Sequence, residues 1–391
     1  MSEAVSQANP SAPATGWLIA PGWDAFWLLS GLWLPLLVVA LPEAVWDPIY
    51  LGAVLLLWLS HRFASAWVFW LTPEYQPART RHGSALGLKT LLLLFLTLAW
   101  MLIPPSLLPL LPRLGLLVLI DFTLALHHFA AQHFGVLRLY ASHSPTPPPS
   151  SPKRQADWWF CLGLSVFLVA FAEFLHGVSR LQEQWLNLPI PGVPHSELWL
   201  QGGVLLACLW TALHWRHHQH GSLPQQAYLL SIGGLGASAF ALPPEQFLAV
   251  WTMQHWMVSV GLKSALGNRS ASTSGRGHLQ QLPALRRGVL WALLTLPLVP
   301  LLEFDAVPEA ERLTEGWWPW LEQSMTNHYG LMGVVALGFA SGWAHYLHDR
   351  AAFRMSDPVT RNCLNDLLTP KDQECPLKRN SPWKASVKRR S

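Results

Sequence analysis

Apolar runs about twenty residues long, broken by short polar or proline-rich stretches, recur along almost the whole chain. A helix needs roughly 20 mostly apolar residues to cross the hydrocarbon core of a bilayer. Windows of that kind fall at 24–42, 49–72, 84–104, 113–140, 157–179, 197–216, 224–241, 244–266, 284–303 and 327–350. The pattern predicts an all-α protein, a polytopic transmembrane helix bundle of about ten spans. Pro104-Pro105, the run Pro145 to Pro152, the stretch Pro189 to Pro194 and Pro243-Pro244 sit at or between the window ends. There proline, which has no N–H to donate, ends one helix or opens the next. The chain divides into an N-terminal cytoplasmic or interfacial segment (1–23), a helical membrane domain (24–350) and a basic tail (351–391).

The basic residues give this pattern an orientation. All Lys and Arg except Arg62, Arg113, Arg180 and Arg312 lie near the ends of even-numbered windows or in the tail. Cytoplasmic loops carry the excess of Lys and Arg, so both termini are expected in the cytoplasm. Many of the 23 tryptophans cluster at window ends, among them Trp17, Trp23, Trp27, Trp158, Trp159, Trp317, Trp318 and Trp320. That is the aromatic belt of a membrane protein. No Lys or Arg precedes the first apolar run, so that run is expected to be a retained span rather than a cleaved signal. A multi-pass protein of the bacterial inner (plasma) membrane is the expected location, with membrane lipids as its surroundings.

Composition excludes more than it identifies. Charged residues make up 12% of the chain, against roughly 25% in soluble domains. A net charge of +4 on 391 residues is too small to point to nucleic acid. The four cysteines, Cys161, Cys208, Cys363 and Cys375, have no metal-binding spacing. No stretch outside the windows is long enough for a soluble catalytic domain. Residues 143–155 and 267–281 read as flexible linkers, and 304–324 as an acidic outer loop.

The candidate chemistry lies in the histidines. His61 sits mid-window in the second span. His127, His128 and His133 lie in the later half of the fourth, and His214, His217, His218 and His220 at the end of the sixth. His255 is midway along the eighth, and His345 and His348 close the tenth. Ionisable groups are costly at membrane depth and usually face a bundle interior or cavity. Five even-numbered spans therefore supply imidazoles at one depth, from mid-membrane to the cytoplasmic side. Helical phase ranks these histidines, since residues three or four apart share a face. His214, His217 and His218 share one, as do His345 and His348, with Asp349 adjacent. Asp121, His128 and Gln132 form a stripe, as do Trp251, His255, Ser259 and Lys263. His127 and His133 point away from His128. The expected metal ligands are His61, His128, His214, His217, His218, His255, His345 and His348, with Asp121 and Asp349 as the catalytic or orienting carboxylates.

Imidazole suits zinc, copper and iron, and the lack of cysteine on these stripes argues against a thiolate site. The histidines outnumber the three protein ligands of a catalytic zinc, which favours iron, with a dinuclear centre using the surplus. Two segments then resemble a known family. HFAAQH at 128–133 and HWRHH at 214–218 are similar to the histidine boxes of membrane-bound fatty-acid desaturases and hydroxylases. No third box of the HxxHH form is present; Gln254-His255 and HYLHD at 345–349 stand nearest. The resemblance implies a non-haem diiron oxidoreductase acting on a lipophilic substrate, supplied by an electron-donor protein, and it adds His133 to the ligands. Two other classes use the same residues: a transporter or proton or metal-ion pathway, and a haem electron-transfer protein with paired axial histidines. Glu173 and His176, i and i+3 in the fifth window, suggest a polar interhelical contact or a second metal site near the outer face.

Overall fold

The computed structural model of the chain describes residues 16–104, 106–108, 110–144, 150–176, 193–274 and 328–368. Among these the regular structure is helical and no strand occurs. In chain order the helices are α1 (Pro21–Leu28), α2 (Ser30–Ala40), α3 (Glu43–Ala53), α4 (Leu59–Leu71), α5 (Gln76–Met101), α6 (Leu110–His143), α7 (Ser151–Leu162), α8 (Leu168–Leu175), α9 (Ser196–His217), α10 (Leu223–Ala241), α11 (Pro244–Ser274), α12 (His328–Phe353) and α13 (Pro358–Leu368). Wide π turns at Val54–Trp58 and Gly163–Phe167 join α3 to α4 and α7 to α8. Such a turn shifts the phase of the helix after it, and the first lies just ahead of His61. The predicted window 284–303, the loop 304–324 and the tail beyond 368 lie outside the described residues.

Among the described residues, four helices are long and apolar enough to cross a membrane: Pro73–Met101, Pro112–His143, Ser151–Leu175 and Ser196–His217. The pair α1 and α2, bent by 58°, would make a fifth. Within the described residues the difference from the predicted windows has a physical cause. α11 and α12 carry Gln254, His255, Lys263, His345, His348 and Asp349 along their length, and these polar residues dilute the apolar signal. In α10 the residues Gln225, Gln226, Ser231 and Ser238 and the glycines do the same.

An exposed apolar face runs along α5. Leu88, Leu91, Leu92, Phe95 and Leu96, spaced for one helix face, are 50–68% exposed. α9 presents Leu198, Leu205, Leu209 and Leu213 in the same way. Contiguous apolar faces of this size are rare on soluble monomers and are consistent with a membrane protein.

Inside, α12 lies along α5 and against α4 and α6, α10 pairs with α9, and α11 packs on α2 and α4. The α9–α10 pair is close: a Cβ on Gly203 would overlap the Phe240 ring, and one on Gly233 the Thr211 side chain. Small residues allow such approach where helix packing rather than water drives association. Buried polar groups tie the ends. Arg113, fully buried, donates from Nη1 to the Met101 and Ile103 carbonyls (2.6 Å each), covering the last turn of α5. Asp24, also fully buried, accepts from the Leu18 and Ile19 N–H groups and the Tyr140 hydroxyl.

Asp357 caps α13. Its Oδ2 accepts from the Thr360 N–H (3.0 Å) and hydroxyl (2.9 Å), and the carboxylate lies 3.2 Å from His82 Nε2 and 3.5 Å from Arg81 Nη1. The Thr360 N–H above all, then the Thr360 hydroxyl and His82, hold its pKa down to about 2 from an ordinary 3.8. A value depressed in the fold adds stability above the unfolded value that is lost as pH falls through the folded one. Between pH 4 and pH 2 the wild type is therefore expected to lose thermal stability that Asp357→Asn, which keeps the cap without the charge, does not lose. Parallel melting curves across that window check this; equal acid sensitivity of the two proteins would contradict it.

Candidate metal centre

Four helices bring four histidines together in the bundle. His61 comes from α4, His128 from α6, His255 from α11 and His345 from α12. All are buried, between 2% and 7% exposed. Their rings form a closed circuit of edge-to-face contacts. Centroids are 5.2 Å apart for His61 and His255, 5.0 Å for His255 and His128, 5.1 Å for His128 and His345, and 4.6 Å for His345 and His61. Aromatic rings back the imidazoles: Phe129 stacks on His255 at 3.9 Å, Tyr346 lies 4.4 Å from His128, and Trp256 lies over His61.

Asp349, one turn after His345, closes the group. Its Oδ2 lies 3.3 Å from His128 Nε2 and 3.7 Å from His345 Nε2. Its Oδ1 is taken by Lys263 Nζ at 2.6 Å and by the Ser65 hydroxyl. Lys263 also donates to Ser259 Oγ at 2.5 Å. The carboxylate is thus divided: one oxygen is fixed by α4 and α11, the other faces two imidazoles. Two sets of ligand atoms lie within 4.8 Å of one another, His61–His255–His345 and His128–His345–Asp349, and His345 belongs to both.

The polar atoms here are not satisfied by protein. His61 Nδ1, His128 Nε2, His255 Nε2 and both ring nitrogens of His345 are buried without a hydrogen-bond partner. The His128 Nε2 to Asp349 Oδ2 distance is that of an ion pair, but its angle is not that of a hydrogen bond. Buried polar atoms are nearly always bonded, and leaving one unpaired costs about 1–3 kcal/mol. Four imidazoles with open nitrogens and a carboxylate oxygen aimed among them could hold a metal ion through nitrogen and oxygen. The described cysteines, Cys161, Cys208 and Cys363, belong to neither set.

The remaining expected residues are elsewhere. His348 has both nitrogens engaged: Nδ1 faces the Ala344 carbonyl at 2.7 Å, and Nε2 accepts from the Trp70 indole at 3.0 Å. Asp121 accepts from the Trp343 indole at 2.9 Å and is in neither set. His133 pairs with the Tyr228 hydroxyl at 3.0 Å, and His217 and His127 are exposed. Gln132, from the His128 stripe, donates to the His255 carbonyl and joins α6 to α11. Arg62 donates to Ser341 Oγ beside the centre. His176 Nε2 is buried without a hydrogen-bond partner, but neither it nor Glu173 joins a candidate metal group among the described residues.

His214 and His218 form a different group, with Asp157 of α7. Nothing in the sequence reading singled out Asp157, which falls at the edge of the fifth window. The signal that could have found it was an aspartate at the start of the fifth apolar window, beside the end of the sixth that carries the histidines. None of the known protein families, curated proteins or solved structures compared with the chain matches it.

Proposed function

We propose that this chain is a polytopic protein of about ten spans, both ends cytoplasmic, that holds a transition metal, iron, in the four-histidine centre and uses it as an oxidoreductase on a lipid-soluble substrate. The observation that carries the proposal is the set of buried imidazole nitrogens, open and mutually facing, around the free oxygen of Asp349. His61, His128, His255, His345 and Asp349 would hold the metal. Two donor sets sharing His345 favour a dinuclear centre. The donors suit iron, and bound iron would supply one-electron and oxygen chemistry. Lys263 and Ser65 fix the outer oxygen of Asp349, so that Oδ2 alone is presented, and Phe129, Trp256 and Tyr346 hold the rings and exclude water. An electron-donor protein on the cytoplasmic side completes the proposal.

A haem is a poorer fit, because four imidazoles touching edge to face leave no slot for a flat macrocycle between axial pairs. A proton or metal-ion pathway is the second reading, favoured by the buried Lys263–Asp349 pair. The two separate on reactivity with oxygen. Iron-loaded protein in lipid bilayers, reduced without air, is expected to consume oxygen on mixing, whereas His61→Ala does not. Iron that binds tightly yet stays ferrous in oxygen would contradict the oxidoreductase and leave the pathway.

A further inference from the structure

Asp157 of α7, His214 of α9 and His218 just beyond it converge beside α10, which packs along α9. Asp157 Oδ1 lies 2.7 Å from His218 Nε2 and 3.1 Å from His214 Nε2. Exposure is 0% for Asp157, 1% for His218 and 5% for His214. Each imidazole is oriented from behind. Gln225 Nε2 lies 3.0 Å from His218 Nδ1, and the His214 ring is stacked on Phe160, centroids 4.3 Å apart and 10° from parallel. A ligating histidine donates its second ring N–H to an acceptor; the Gln225 amide, turned end for end, would present its oxygen to His218 Nδ1 in that role.

As a purely hydrogen-bonded cluster this arrangement is incomplete. Both imidazoles meet the same carboxylate oxygen, while Asp157 Oδ2 is buried with no hydrogen-bond partner. Arg138 is within electrostatic reach of Asp157, yet its Nη1 is likewise buried without a partner. A carboxylate has roughly four acceptor positions and seldom leaves one oxygen bare in the interior. With metal bonds of about 2.0–2.1 Å, neighbouring donors in a tetrahedral shell are roughly 3.3 Å apart. Moving Asp157 Oδ1 from 2.7 Å to roughly 3.3 Å from His218 Nε2, with a smaller shift from His214, would open the group around an ion.

We infer that Asp157, His214 and His218 form a second site, for one divalent first-row transition metal ion, sharing no ligand with the four-histidine centre. Two imidazoles and one carboxylate suit ferrous iron, zinc or cobalt and leave coordination positions for water or a further ligand. The ion would pin α7 to α9 on the side of the bundle where α10 turns back. This inference does not rest on the function proposed above.

The test uses the full-length protein in detergent, stripped with chelator, reloaded with cobalt(II) and freed of excess metal. The wild type is expected to keep cobalt at both sites; Asp157→Asn loses one ion and keeps the rest, whereas His61→Ala keeps that ion and loses cobalt from the four-histidine centre. His218→Cys is expected to keep that ion and add a thiolate-to-cobalt charge-transfer band, a gain that also decides the matter if Asp157→Asn fails to fold. Cobalt lost from His61→Ala but not from Asp157→Asn overturns the inference and leaves the four-histidine centre standing. The reverse pattern supports the inference and removes that centre. A His218→Cys protein without the new band also overturns it.

Discussion

His345→Ala is expected to leave the four-histidine centre without metal. His345 is the one imidazole common to both donor sets, and its two nitrogens have no hydrogen-bond partner that would justify their burial otherwise. Groups that merely orient ligands are worth about 10–100-fold in affinity, so the loss of a shared ligand should exceed that. The control is three residues away. His348→Ala removes an imidazole bonded to Trp70 and the Ala344 carbonyl, and should keep the metal while costing some stability. Elemental analysis of the two variants beside the wild type reads the difference. Equal metal loss from both, or from neither, would contradict the ligand set.

Lys263→Met is expected to destabilise the metal-free protein by about 3–5 kcal/mol, the usual cost of stranding one member of a buried ion pair. Lys263 contributes the cation at 2.6 Å from Asp349, in a pocket where both side chains are largely shielded from solvent. The sign of the metal effect is the informative part. A bound cation supplies to Asp349 the positive charge that methionine cannot, so loading with ferrous iron should rescue the variant by more than it stabilises the wild type. Thermal melts of both proteins, with and without metal, measure this. A metal shift that is the same in both would mean that Asp349 does not face the ion. Asp349→Asn combined with Lys263→Met should recover much of the lost stability, since the pair is then removed together.

Much of the fold was legible because apolar length and proline punctuation are local signals. The nine predicted windows within the described residues each fall on a helix or on a joined pair. What local signals do not carry is the number that qualify as membrane spans: α11 and α12 hold their polar residues for the interior, and length and apolarity alone pass four helices, or five with the bent pair. The centre was legible in part for a related reason. Depth placed His61, and depth with helical phase placed His128, His255 and His345, toward the interior, and the structure brings these four together. The i+4 path His255–Ser259–Lys263 ends on Asp349, itself i+4 from His345.

Phase states which residues share a face, not which helix that face meets. His214 and His218 lie on a stripe as convincing as any, but α9 turns them to Asp157 rather than to the four-histidine centre. Asp121 lies two turns before His128 on the same stripe, yet the Trp343 indole reaches it first. His348 shares a face with His345 by i, i+3 spacing, and the neighbouring Trp70 takes its nitrogen instead. The HxxxxH box brought in His133, whose partner is Tyr228. Each of these depends on a contact with another helix, which no single-chain periodicity encodes.

The most direct measurement of the central claim is X-ray absorption at the metal edge of the protein as purified from membranes. The account predicts an iron edge, a first shell of nitrogen and oxygen, and outer-shell scattering from several imidazoles that is lost in His345→Ala. A purified protein with no transition metal, or a metal whose imidazole scattering is unchanged in that variant, would contradict it.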